Sequence, residues 1–247
     1  MTDNLERFIA DFYKVKNLGF HPSKRSNSTG IGKTFEDLIG VAENNLKEPD
    51  LHGFEIKSQR NLSESYVTLF TKSPTMPKGA NTYLRENYGS FDSYYPDIKV
   101  LHTSIFCGKF NTHISKASFS LKIDYHNERL YILVKYNGQT DDSVYYSFEQ
   151  LKKAIKKIEN LAFISADTKI INGIEHFHFN QATIFSNFVS FENFLSLINK
   201  GLIMYDVRIG AYKTGEKKGK THDHGSGFRI KKENMHLLYN NEPITIK

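Results

Sequence analysis

The chain has a single cysteine, Cys107, so no internal disulfide can form and a reducing cytosol is the expected compartment. No apolar run approaches the length that spans a bilayer, so no membrane segment is expected. The opening segment MTDNLERFIADFYK carries acids where a secretory leader would be basic and then apolar, so no leader is expected. No internal repeat and no low-complexity linker interrupts the 247 residues. A nucleotide-binding P-loop is missing as well, because Gly30-x-Gly32-Lys33-Thr34 lacks the glycine spacing that cradles phosphates. Arginine is scarce, standing only at positions 7, 25, 60, 85, 129, 208 and 229.

What is present reads as a folded protein: 39% of residues are hydrophobic and 24% charged. The length suits one large domain or two interlocked lobes. A net charge of +6 and a pI near 9.1 favour polyanionic partners through counterion release. The same balance suits a merely basic soluble protein, so charge alone does not choose. A chain sparing with arginine that places two near its C-terminal end can use them for paired hydrogen bonds that lysine cannot make.

The periodicity predicts a helix over 3–16 with Leu5, Phe8, Ile9 and Phe12 on one face. HPSKRSNSTGIGKT, residues 21–34, reads as a basic, Gly-rich loop, with Thr34 capping a helix through FEDLIGVAENN. HGFEIKSQ (52–59) and SYVTLFTKS (65–73) read as paired strands, and 73–97 as an ordered loop with one helical turn. LHTSIFCG, SFSLKIDY and RLYILVKY read as strands. SFEQLKKAIKKIENL (147–161) reads as a helix with Leu151, Ile155 and Ile158 inward and its lysines in water. AFISADTKI and EHFHFNQATIF read as a hairpin about the Asn172-Gly173 turn. A helix stopped by Gly201 follows, then the strands LIMYDVRIGAY and GFRI. The class is α+β, a mixed sheet flanked by helices with a second lobe. Residues 1–140 form the expected catalytic lobe and 141–247 the expected recognition lobe, an approximate boundary open to interleaving.

The central chemical signal is Pro49-Asp50-x4-Glu55-Ile56-Lys57. Glu55 and Lys57 stand two apart on a strand, so both leave one face. Asp50 precedes a turn eased by Gly53 and can fold back beside Glu55. Asp50, Glu55 and the Ile56 carbonyl make an oxygen-only set that suits Mg²⁺. Such an ion polarises a phosphate and activates water, while Lys57 orients that water or steadies phosphate oxygens. The bland alternative is a few solvated charges at a strand end. Glu36 can add a further acid to the cluster, or with Asp37 simply offset a helix dipole. Lys24, Arg25 and Lys33 in the basic loop can track a nucleic-acid backbone.

A second signal lies in Tyr205-Asp206-Val207-Arg208 and Thr221-His222-Asp223-His224-Gly225-Ser226-Gly227-Phe228-Arg229, joined by a stretch too basic and Gly-rich to be core. Arg208 and Arg229 can each grip a guanine edge, and His222 and His224 can approach base edges. Asp206 or Asp223 can accept from a cytosine amino group or hold an arginine in register. His-x-His is also half of a zinc site, but third and fourth ligands are not evident nearby. His176 and His178 read as ordinary surface or satisfied histidines.

Residues 30–58, GIGKTFEDLIGVAENNLKEPDLHGFEIKS, resemble the active-site region of MutH-like nucleases of the PD-(D/E)xK superfamily. The spacing from Asp50 to Glu55 is shorter than in MutH. YDVRIG and HDHGSGFRI resemble the recognition end of the MvaI/BcnI restriction endonucleases, and the resemblance extends over essentially the whole chain. It implies a Type II restriction endonuclease cutting double-stranded DNA at CCWGG before W, leaving 5′-phosphate and 3′-hydroxyl ends. It also implies a monomer that nicks one strand and rebinds for the other. Its catalytic lobe approaches from the minor groove and its C-terminal lobe reads the major groove. A cognate methyltransferase is the implied cellular partner. Relatives that read CCSGG leave the central base pair open. A MutH-like strand-nicking repair enzyme and a non-catalytic DNA-binding module are the alternatives.

Overall fold

A computed structural model of the chain describes residues 2–25, 29–40, 51–61 and 66–247. In chain order it forms α1 (Thr2–Asn17), β1 (His21–Pro22), α2 (Gly30–Ile39), β2 (Glu55–Arg60), β3 (Val67–Thr71), α3 (Ala80–Tyr88), β4 (Ser90–Phe91) and β5 (Lys99–Ile105). There follow β6 (Asn111–Thr112), β7 (Ser118–Asp124), β8 (Arg129–Tyr136), β9 (Gln139–Asp141), β10 (Tyr145–Ser147), α4 (Phe148–Ile155), β11 (Leu161–Ile171) and β12 (Ile174–Phe185). The last elements are α5 (Phe191–Asn199), β13 (Ile203–Ala211), β14 (Thr221–Asp223), β15 (Gly227–Ile230) and β16 (Ile244–Ile246). Short 3-10 helices occupy Lys156–Ile158 and Lys232–Leu238. No helix among the described residues is long and apolar enough to cross a membrane.

The chain divides into two compact units, each assembled from separate segments. The first holds Met1–Val67, Lys156–Val189 and Lys232–Lys247; the second holds Thr68–Ile155 and Ser190–Lys231.

In the first unit the sheet runs β1-β12-β11-β2, with β16 also on β12. β2 lies parallel to β11, while the other pairs are antiparallel, so the sheet is mixed. Alternation along β2 and β11 sorts the two faces. Ile56, Ala162, Ile164 and Ala166 turn to a core closed by Phe8, Phe12, Ile31 and Phe35 from α1 and α2. Glu55 and Lys57, in register with Leu161 and Phe163, therefore share the opposite face. The hairpin between β11 and β12 turns at Asn172 and Gly173, both at positive φ, as an Asn-Gly turn requires.

The second unit contains two sheets, β10-β8-β7-β6 with β9 on β8, and β3-β15-β13-β5-β4 with β14 on β13. Its core gathers Phe70, Tyr146, Phe194 and Tyr205 around Phe228, with ring centroids 5.2 to 5.6 Å from it. Gly227 lets β15 close on β3, because a Cβ there would stand 2.4 Å from the Phe70 carbonyl oxygen.

Four local expectations change. Strands 52–59 and 65–73 do not pair: β2 joins β11 and β3 joins β15, in different sheets. The helix expected to start at Thr34 starts at Gly30, with Thr34 buried inside it and donating to the Gly30 carbonyl. It ends at Gly40, in the left-handed region, and residues 41–45 of the expected helix lie outside the described residues. The loop at 73–97 contains the nine-residue helix α3. The helix expected over 147–161 stops at Ile155, because Leu161 is claimed as a strand partner by Glu55 and Phe185.

Candidate functional site

The turn that leads into β2 is closed by reciprocal backbone hydrogen bonds between Leu51 and Phe54, at 3.1 and 2.8 Å. His52 and Gly53 take positive φ within it. Glu55 follows at once and is 4% exposed. Its backbone N–H donates to the Asn160 carbonyl at 3.0 Å, which fixes the start of β2 against the segment entering β11. Lys57 Nζ donates to Glu55 Oε1 at 2.5 Å. Lys157 Nζ lies 3.2 Å from Glu55 Oε2. A buried carboxylate is tolerated only with such partners, since desolvation alone would favour its neutral form.

Lys157 was expected in water on a helix. Because α4 gives way to a 3-10 turn, it reaches Glu55 instead. Tyr239 donates to the Ile158 carbonyl at 2.9 Å and so braces that turn. Burial, with Glu55 nearby, pushes the Tyr239 phenol well above its usual range.

Asp50 lies outside the described residues. Glu36 stands half-buried on α2, which packs against β2. The Ile56 side chain belongs to the core. Among the described residues no group of three or more His, Cys, Asp or Glu could hold a metal ion. The Glu55 carboxylate is buried, with two ammonium groups gathered about it, and its oxygens are hard donors of the kind magnesium takes. Of the basic loop, Lys24 and Arg25 are exposed, and Lys33 pairs with Asp37 at 2.9 Å. The Lys24 backbone N–H donates to Thr34 Oγ1 at 2.9 Å, which ties the loop to α2.

The second unit carries the other constellation. Tyr205, Val207 and Ile209 of β13 turn into the core, and alternation sends Asp206 and Arg208 to the other face. Register adds Arg229, opposite Met204, and His102 and Ser104, opposite Arg208 and Asp206. Asp206 and Arg229 are each 8% exposed. Asp206 Oδ2 accepts from Arg208 Nε at 2.6 Å and lies 3.0 Å from Arg229 Nε. Burial lowers the Arg229 guanidinium's pKa, and Asp206 opposes that shift.

Asp223 is a turn organiser. Its Oδ1 accepts from the Gly225 and Ser226 amides and the Ser226 hydroxyl, and its Oδ2 accepts from Asn81. Ser226 in turn accepts the Arg208 amide at 2.8 Å, so this turn fixes Arg208. The His222 ring stacks on Tyr212 at 4.5 Å and meets His224 edge-on at 4.4 Å. Gly210 makes room for His224, whose Nε2 would be 2.7 Å from a Cβ at that position.

Beside this face is a cleft of about 690 Å³ lined by His102, His113, Asp206, Arg208 and His224, among others. Asn111 hydrogen-bonds to Thr103 Oγ1 and the Ser104 carbonyl, which holds the cleft's far wall to β5. Sequence reasoning missed His102, His113 and Asn111, which stand in ordinary β-rich stretches with no local signal.

Comparison with known proteins places the chain among the Type II restriction endonucleases. It belongs to the MvaI/BcnI restriction endonuclease family, whose model matches residues 9–239. The solved complex of restriction endonuclease MvaI with cognate DNA substrate is 38% identical to it, with a TM-score of 0.89, over 98% of this chain and 99% of that one. The structure of MvaI in the absence of DNA is 39% identical, with a TM-score of 0.62, over 100% and 99% of the two chains. No curated protein matches the chain.

Proposed function

We propose that the protein cuts double-stranded DNA at CCWGG before W, as a monomer, with magnesium held by Asp50, Glu55 and the Ile56 carbonyl. The observation that carries this reading is the Glu55–Lys57 pair, sharing one face of β2 with the carboxylate gripped by ammonium groups. Likeness to MvaI bound to cognate DNA supports duplex DNA as the substrate.

When bound, the metal would polarise the scissile phosphate and lower the pKa of a water molecule. Lys57 orients the attacking water or steadies the crowded phosphate oxygens. The water gives up a proton to solvent as its oxygen bonds to phosphorus and the P–O3′ bond breaks, and the departing O3′ takes a proton from solvent, leaving 5′-phosphate and 3′-hydroxyl ends. Glu36 is the further acid of the cluster. Lys24, Arg25 and Lys33 follow the DNA backbone. Arg208 and Arg229 read guanine, with Asp206 holding both in register, and His222 and His224 approach neighbouring base edges. Asp223 shapes the turn that presents them. One strand is cut per binding event, and a methyltransferase of the same specificity protects host DNA.

The test is a digest of defined plasmids with the purified protein and Mg²⁺, followed by end mapping. Unaided linearisation at CCWGG with one-nucleotide 5′ overhangs supports the reading. A supercoiled plasmid left intact despite clear binding overturns it.

A further inference from the structure

Lys232 opens the 3-10 helix Lys232–Leu238, which belongs to the first unit. Its Nζ lies 4.8 Å from the centroid of the Phe163 ring and 3.3 Å from Ser165 Oγ. Phe163 is in register with Lys57, and Ser165 with Gln59. The ammonium therefore sits on the sheet face that carries Glu55 and Lys57, one strand away, where strands are spaced by roughly 4.8 Å.

Its partners set it apart from the other lysines there. Lys57 and Lys157 both face Glu55. Lys232 has a hydroxyl and an aromatic face, and no acid pairs with it among the described residues. Burial lowers its pKa, and no neighbouring charge adds to that shift. Lys232 is exposed, so this ammonium stands at the surface of that face with no acid among the described residues beside it and can receive an anion.

We infer that Lys232 is a DNA-contacting residue that binds a backbone phosphate flanking the scissile one. This rests on the reading of Glu55 and Lys57 as the cutting centre. Lys57 serves the reacting phosphate, and Lys232 holds the neighbouring stretch of strand across that face. A phosphate contact carries no sequence information, so the residue contributes affinity and alignment to cognate and non-cognate duplex alike.

The experiment measures duplex binding against salt concentration, with Ca²⁺ replacing Mg²⁺, for wild type, Lys232→Met and Lys232→Arg. Methionine keeps the packing on Phe163 and removes the charge. Losing one phosphate contact lowers the slope of log K against log salt by about 1. The expected result is that loss in Lys232→Met for cognate and non-cognate duplex, with the slope retained in Lys232→Arg. Reductive methylation of the wild-type protein, read by mass spectrometry, gives an independent measure, with Lys232 expected to be protected by duplex. An unchanged slope in Lys232→Met, or equal labelling with and without duplex, overturns the inference. Lys57→Ala, assayed for cleavage in parallel, separates the two readings: if it still cuts, the cutting centre is misassigned, whatever Lys232 does.

Discussion

Arg229 Nε lies 3.0 Å from Asp206 Oδ2, and both side chains are almost wholly buried. Arg208 reaches the same carboxylate oxygen from a more exposed position. One acid therefore aims two guanidinium groups, one deep and one at the surface. Removing it leaves Arg229 buried without a counter-charge. Asp206→Ala should lower the unfolding free energy by about 3 kcal/mol, the usual cost of stripping one partner from a buried pair. Urea denaturation measures it. A loss below about 0.5 kcal/mol would show that the pair does not hold the second unit together.

Arg208 separates reading from stability. Its end is exposed, and its backbone is fixed independently by Ser226. Arg208→Ala should leave the urea midpoint nearly unchanged and reduce discrimination for one target guanine by about 1–3 kcal/mol. Competition binding with duplexes substituted at single positions measures this. Equal weakening on every sequence would instead mark Arg208 as a phosphate contact.

The cleft histidines give a pH dependence with a definite sign. Burial holds His102, His113 and His224 below the ordinary imidazole value of 6.5. Arg208 reinforces this for His102, His102 for His113, and His222 with His102 for His224. The unfolded chain then takes up protons first as pH falls below 6.5, so stability falls in that direction. Above that value both states are neutral and the contribution is flat. The expected outcome is a Tm that drops between pH 6.5 and 5, the window above carboxylate titration, with a shallower drop in His102→Asn. Calorimetry across that window measures it, and identical slopes would contradict the assignment.

What the sequence reveals follows the range over which each interaction acts. The Asn172-Gly173 turn and the stop at Gly201 are legible because φ > 0 is a local demand with few residue solutions. Glu55 and Lys57 are legible as a pair because strand alternation places them on one face whatever the partner strand. Their partner strand is not legible. β2 pairs with residues a hundred positions onward, and nothing local distinguishes that from a hairpin with β3.

The same reason hides Lys157 and Lys232. Lys157 reads as the wet side of an amphipathic helix until Leu161 is seen to be committed to the sheet. Lys232 follows a recognisable strand but gains its place only through Phe163 and Ser165. In the second unit, Asp206 and Arg208 stand out in sequence, whereas His102 joins them only through the pairing of β5 with β13.

The proposed role of Lys57, held against Glu55 at the start of β2, lies in phosphodiester cleavage rather than in DNA binding. Single-turnover cleavage of a defined duplex by Lys57→Ala, with binding measured on the same duplex in Ca²⁺, tests it most directly. The expected result is a cleavage rate reduced at least about 100-fold, the lower range for a positioned catalytic group, with binding retained. Cutting at the wild-type rate would contradict it.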